Sequence, residues 1–234
     1  MMEMTASYGQ FCPVAMAAEV VCTRWTPLVL RELLCGSRRF NDLRRGVPRM
    51  SPTLLSKRLK ELTQAGIIET RKASDGAIEY HLTPAGEDLR DVVMTLGFWG
   101  HQWVETQHAL QKLDPALLMW DMRRNLDPMP LPARRSTVLF HYPEQPPARQ
   151  RYWLVVEEGD VDICSTDPGF DVDLYVTCQL RTMTAIWMGV ATVRSEMDAG
   201  RLELDGDPEM GASMQRWLGL SPFARERPSA GRAA

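Results

Sequence analysis

Thr53, Lys57, Lys60 and Gln64 recur at helical spacing within Ser51–Gln64, SPTLLSKRLKELTQ. That spacing puts two ammonium groups, a hydroxyl and an amide on one face of a predicted helix, with no acid among them. Side chains of these types can hydrogen-bond base edges in the major groove of DNA and hold its phosphates. An ordinary solvated helix presents a similar face, so the flanking elements must decide between the two readings. Leu55, Leu59 and Leu62 form an apolar stripe on the other side. Ser51 is a good N-cap, Pro52 suits the first helical position, and Ala65-Gly66 ends the helix.

The surrounding chain supplies what such a helix needs. Cys12 to Val21 reads as a first helix. Thr26-Pro27 begins a second, TPLVLRELLCG, with Thr26 as its cap and Trp25 placed as a hydrophobic staple. Arg39 to Arg45 is a short third helix, and Val47 to Met50 is the turn into the Ser51 helix, a helix-turn-helix. Beyond Gly66 the pattern alternates. Ile67 to Lys72 and Ala77 to Leu82 flank Ser74-Asp75-Gly76 as the strands of a hairpin, and a hairpin in this place is a wing. Arg71 and Lys72 stand near its tip, within reach of a phosphate or of nothing but solvent. Between Arg24 and Lys72 there are twelve Lys and Arg against four acids, although the whole chain of 234 residues has a net charge of −3. A basic segment centred on one helix is the electrostatic footprint of a DNA-binding module.

From Thr83-Pro84 a long helix is predicted, to about Lys112. Leu89, Leu96, Trp103 and Leu110 recur every seven residues, with Val92, Trp99, Thr106 and Leu113 in a second register, although Gly97 and Gly100 weaken the helix. The seam predicts pairing with a second copy, hence a homodimer. His101, Glu105 and His108 share a face and are metal-ligand types, but nothing evident completes a site, so neither metal nor cofactor is expected.

These residues carry a resemblance. CPV at Cys12, RWTPLVLRELLCGSRRFNDLRRGVPRMSPTLLSKRLKELTQAGII, and YHLTPAGEDL together resemble the HxlR-type winged-helix transcriptional regulators, a MarR-like group, over Cys12 to about Gly100. The resemblance implies a DNA-binding dimer with the Ser51 helix in the major groove and the wing on the backbone. By matching position it implies Thr53, Ser56, Lys57 and Lys60 as base or phosphate contacts, with Arg49, Ser51 and Arg58 beside them. Some such regulators sense electrophiles or oxidants through the cysteine that Cys12 matches. Here a reactive thiol and a structural one both remain open.

Pro115, Pro128, Pro130 and Pro132 punctuate a crossover around ALLMWDMRRNL. Strands follow at Arg135–Tyr142, Arg151–Glu157, Val161–Ser165 and Asp171–Thr177, then a helix over Gln179–Met188, a strand RLEL from Arg201, and a last helix from Pro208. DVDLYVT before a helix and GRLELDGD after it resemble the sterol carrier protein-like domain over about Arg134 to Leu220. That resemblance implies an apolar tunnel near Trp153, Met183, Trp187, Met188, Met214 and Trp217, residues that could equally be ordinary core.

The fold class expected is α+β. Residues 1–113 form a winged helix-turn-helix domain with a dimer helix, 114–133 a linker, 134–222 a sterol carrier-like domain and 223–234 a disordered tail. No GxSxG, Walker-type loop, GxGxxG or HExxH is present, so an enzyme is not expected. No apolar run is long enough to span a bilayer. Five cysteines at irregular positions and no signal-like N-terminus point to reduced thiols in the cytoplasm. The expected partners are a double-stranded, pseudo-palindromic DNA operator, a second copy of the chain and an apolar effector. The rival is a lipid- or acyl-ligand-binding protein that uses its winged helix as a protein interaction module.

Overall fold

The computed structural model describes residues 7–104, 110 and 113–225. The chain divides into two compact units, one ending at Leu96 and the other starting at Gly97.

The first unit runs α1 (Pro13–Val21), α2 (Thr26–Leu34), α3 (Phe40–Gly46), α4 (Pro52–Gln64), β1 (Ile68–Lys72), β2 (Ile78–Leu82), α5 (Pro84–Glu87) and then the first part of α6 (Leu89–Trp103). Leu55, Leu59 and Leu62 of α4 lie in one core with Val29, Leu30 and Leu33 of α2, Leu43 of α3, Val47, Met50, Ile68, Leu82 and Val93. The apolar stripe of the predicted recognition helix is thus its inner face. Ser51 caps α4 as its type predicts, its Oγ accepting from the Leu54 N–H at 3.2 Å. Gly66 takes the left-handed conformation that ends the helix, at φ 71. Thr26 is not the cap of α2. Trp25 holds that place in a left-handed backbone, and Thr26 is the first helical residue, buried.

One polar group lies at the bottom of this core. Glu32 on α2 is completely buried. Its Oε1 accepts from Arg31 Nε at 3.1 Å and Nη2 at 2.7 Å, and its Oε2 from Ser37 Oγ at 3.4 Å. Arg31 Nη2 also donates to the Gly46 carbonyl, 3.1 Å away, at the end of α3. A Cβ on Gly46 would lie 1.8 Å from the Glu32 carboxyl carbon, so glycine is required where α3 passes over the buried carboxylate.

The long helix predicted from Thr83 is two pieces, α5 and α6, separated at Asp88. Val93 of α6 faces the core, while Val92, Leu96, Trp99 and Trp103 are each more than half exposed. Glu105, Thr106 and His108 lie outside the described residues. Leu110 is buried and Leu113 packs against the second unit's core, so neither extends the exposed seam.

The second unit continues through α7 (Pro115–Asn125), β3 (Ser136–His141), β4 (Arg151–Glu157), β5 (Asp160–Cys164), β6 (Leu174–Cys178), α8 (Leu180–Trp187), α9 (Val193–Asp198), β7 (Leu202–Gly206), α10 (Pro208–Ala212), α11 (Met214–Leu218) and α12 (Pro222–Arg225). The strands form one sheet ordered β5-β4-β3-β6-β7, antiparallel except for the parallel β3–β6 pair. Alternation sends Val138, Phe140, Tyr152, Leu154, Val156, Leu174 and Val176 to one face. There they share a core with Met183 and Ile186 of α8, Met210 of α10 and Trp217 of α11.

Four features add to or alter the expectations here. The segment 114–133, expected as a linker or crossover, contributes Leu118, Met119, Met122, Leu126 and Leu131 to that same core. A helix not expected from the sequence, α9, starts at a reciprocal Thr192–Ser195 capping box. The predicted last helix breaks at Ser213 into α10 and α11. The predicted tail begins too early, since Phe223 of α12 meets Phe98 edge to face at 5.8 Å.

The Glu32 arrangement makes a quantitative prediction. Glu32→Ala should cost about 3 kcal/mol, the scale of a broken buried ion pair. Gly46→Ala should cost about 2 kcal/mol through overpacking. The double variant should cost less than the two together, by on the order of 1 kcal/mol, because truncating Glu32 makes room for the new Cβ. Urea denaturation of the four proteins measures this, and strict additivity would refute the contact.

Candidate nucleic-acid interface

Burying the leucines of α4 leaves Thr53, Ser56, Lys57, Lys60 and Gln64 exposed, and Arg49 and Ser51 are exposed where the turn enters the helix. Arg49, Lys60 and Lys72 form no ion pair among the described residues. The same holds for Arg44 on α3, a position with no distinguishing signal in the sequence. Lys57 is held loosely, its Nζ 4.0 Å from Glu61 Oε1. The Ser51 hydroxyl accepts the capping bond but keeps its own proton to donate.

Arg58 differs from its neighbours. Its Nε donates to the Arg24 carbonyl at 3.3 Å, its Nη1 pairs with Glu61, and its side chain is only 14% exposed. It braces α4 against the loop before α2 instead of projecting outward. Sequence spacing places Arg58 beside the outer face, but only tertiary contacts show which way a long side chain folds.

The wing is an antiparallel hairpin in register Ile68↔Leu82 to Lys72↔Ile78. Gly76 turns it at φ 81, and the Asp75 carboxylate accepts from the Ala77 N–H at 3.0 Å. Arg71 Nε donates to Glu69 on the same strand at 2.8 Å, so Lys72 is the wing cation without an ion pair. Arg39 ties the wing down. It bridges to Glu79 in the sheet, and its guanidinium lies 2.9 Å from Asp75 and 3.4 Å from Glu79. The Tyr80 N–H donates to the Arg38 carbonyl at 2.8 Å. The Ala77 N–H, and after it Arg39, hold the Asp75 carboxyl below its ordinary value, and Asp75 in turn raises that of Arg39. Nothing in the spacing of RRFNDL reveals this staple, because its partners are 36 and 40 residues away.

In the second unit, the residues expected at an apolar tunnel are mostly interior. Met183, Trp187, Met214 and Trp217 pack into the main core. The Trp187 indole donates to Asp121 Oδ2 at 2.9 Å and that of Trp217 to the Met210 carbonyl at 2.8 Å. Trp153 is buried on the other side of the sheet, paired with Leu139. Met188 borders a small pocket with Phe223. Cys12 sits at the N-cap of α1 and is partly exposed.

A helix-turn-helix with an exposed, partly unpaired cationic face and a stapled hairpin beside it defines a winged-helix DNA-binding protein. Residues 20–108 match the model of the HxlR-like helix-turn-helix family. The uncharacterised HTH-type transcriptional regulator YvaP of Bacillus subtilis is 31% identical over 100 residues, 42% of this chain and 93% of that protein. A regulator of Mycobacterium tuberculosis, Rv3095, is 42% identical over 95 residues, 39% of this chain and 58% of that one. Among solved structures, the reduced form of YodB from B. subtilis is 30% identical, covering 42% of this chain and 98% of its own, with a TM-score of 0.37. The redox regulator HypR in its reduced form is 27% identical over 42% of this chain, with a TM-score of 0.38. The chain belongs to the HxlR-like helix-turn-helix family of transcriptional regulators. No described helix is long and apolar enough to cross a membrane.

The cysteines make a prediction of their own. Burial, and then the nearby Glu144 charge, push the Cys178 thiol up to about 12, so it stays protonated and covered. Cys22 and Cys35 are exposed. Iodoacetamide at pH 8 should label Cys22 and Cys35 in the folded protein and Cys178 only after denaturation. Peptide mass spectrometry reads this out, and native labelling of Cys178 would refute it.

Proposed function

We propose that this chain is a homodimeric regulator that reads a pseudo-palindromic operator with α4 in the major groove and the wing on the backbone. The observation that carries the reading is the outer face of α4, where Thr53, Ser56, Lys57 and Lys60 stand exposed between Arg49 and Gln64. The exposed stripe Val92, Leu96, Trp99 and Trp103 supports the dimer, because four large apolar side chains on one helix face favour a partner surface. Two recognition helices related by a two-fold axis would address half-sites about 34–36 Å apart. The second unit is proposed to bind an apolar effector. Its sterol carrier-like character rests on the sequence resemblance over 134–220, which a five-stranded sheet with helices on one face supports.

Electrophoretic mobility shift with DNA from upstream of the gene, at several salt concentrations, tests the operator. Lys57→Ala with Lys60→Ala should weaken binding and reduce the slope of log K against log salt by about 2, near one unit for each phosphate no longer neutralised. Arg58→Ala should leave that slope unchanged, because Arg58 is spent inside the protein. An unchanged slope in the double variant would remove these lysines from the interface.

Cys12 is proposed as an oxidant-sensing thiol, supported by its partial exposure and its match to the sensing cysteine of similar regulators. Diamide should release wild-type protein from its operator and leave the Cys12→Ser variant bound. Equal release from both proteins would assign Cys12 a structural role.

A further inference from the structure

We propose that the second unit holds a binding site for a compact, single-ring aromatic molecule carrying one hydroxyl group, a phenol. The site is an apolar pocket of about 190 Å³ on the C-terminal half of α6. It deepens the effector part of the proposed function and rests on that reading only for its regulatory meaning.

Two glycines make the pocket. At Gly97 a Cβ would stand 2.2 Å from the Phe223 ring, so the helix is notched to let that ring lie against it. At Gly100, one turn further, a Cβ would meet nothing within 4 Å, although the residue lines the pocket. Gly97 explains how the wall comes close, and Gly100 leaves space that no neighbouring side chain fills. Val104 and Met188 complete the apolar wall. A thioether and the Phe223 ring are both favourable neighbours for an aromatic ligand.

The pocket is separate from the exposed Trp99 and Trp103. Gly97, Gly100 and His101 fall within about 100° of arc on α6. Trp99 and Trp103 centre about 130° away from them.

Two polar residues line it as well, His101 and Ser221. Ser221 is 8% exposed, and its backbone N–H is taken by the Trp187 carbonyl at 2.8 Å. Neither its hydroxyl nor the His101 imidazole has a hydrogen-bond partner among the described residues. The Ser221 hydroxyl opens onto the pocket and can exchange hydrogen bonds with a ligand hydroxyl there. The size selects the class. An engineered apolar cavity of about 150 Å³ takes benzene, whereas drug-sized ligands need about 300–1,000 Å³. The enclosed space matches one ring better than a sterol or a long acyl chain.

The test uses the full chain without DNA, so failure of operator binding does not affect it. Phenol and benzene are titrated at low millimolar concentration and followed by saturation-transfer NMR. Both should bind the wild type. Gly100→Leu should weaken both at least about tenfold by filling the space, while its melting temperature holds or rises because leucine favours a helix more than glycine does. Ser221→Ala should weaken phenol about fivefold, the worth of one hydrogen bond, and leave benzene unchanged. Absence of phenol binding to the wild type would overturn the proposal. So would equal binding to the wild type and to folded Gly100→Leu. If Gly100→Leu does not fold, the Ser221→Ala comparison decides, and an equal effect on phenol and benzene overturns the proposal.

Discussion

A carboxylate withdrawn from water costs several kcal/mol unless charge and hydrogen bonds replace its hydration. Glu32 draws on Arg31 and Ser37 for that condition, and Gly46 leaves it room. The same Arg31 reaches the carbonyl that closes α3. The node therefore specifies where α3 ends against α2, and the turn into α4 follows directly. An apolar core alone would tolerate small slides of one helix over another. A buried ion pair with a glycine beneath it does not, because each displacement leaves a charge unmatched.

The basic segment illustrates how tertiary structure sorts residues of one type. Arg31 serves the buried carboxylate, Arg39 staples the wing, Arg58 braces α4 and Arg71 pairs with Glu69. Arg49, Lys60 and Lys72 are spared. Arginine's planar fork suits fixed contacts inside the protein, and the compact ammonium of lysine suits a mobile contact with phosphate. The excess of cations over Arg24–Lys72 overstates the number left without an ion pair among the described residues.

In the second unit, Trp187, Trp217 and Tyr142 occupy the interior with a partner for each polar handle. The Trp187 indole reaches Asp121 and that of Trp217 a backbone carbonyl. The Tyr142 hydroxyl donates to the Met119 sulfur at 3.2 Å, and burial raises its pKa well above the ordinary value. Asp173 ends the parallel pairing early. One of its oxygens accepts from the Thr137 N–H and the other from Arg134, so β6 begins at Leu174 and not at Asp171.

Local chemistry was enough to read α4, its cap at Ser51, its end at Gly66, the hairpin and most strands of the second unit. Period, capping residue and turn residue all act within a few positions of one another there. The outer face of α4 was legible for the same reason, since a stripe of leucines determines which side is left for cations. The inward turn of Arg58, the Arg39 staple, the Glu32 node and the pocket at Gly100 were not legible. Each depends on groups brought together from segments remote in the chain, and residue type does not state which partner a side chain will meet. The tryptophans and methionines of the second unit show the same limit: composition marks them as apolar, and only packing decides whether such residues fill a core or border a space.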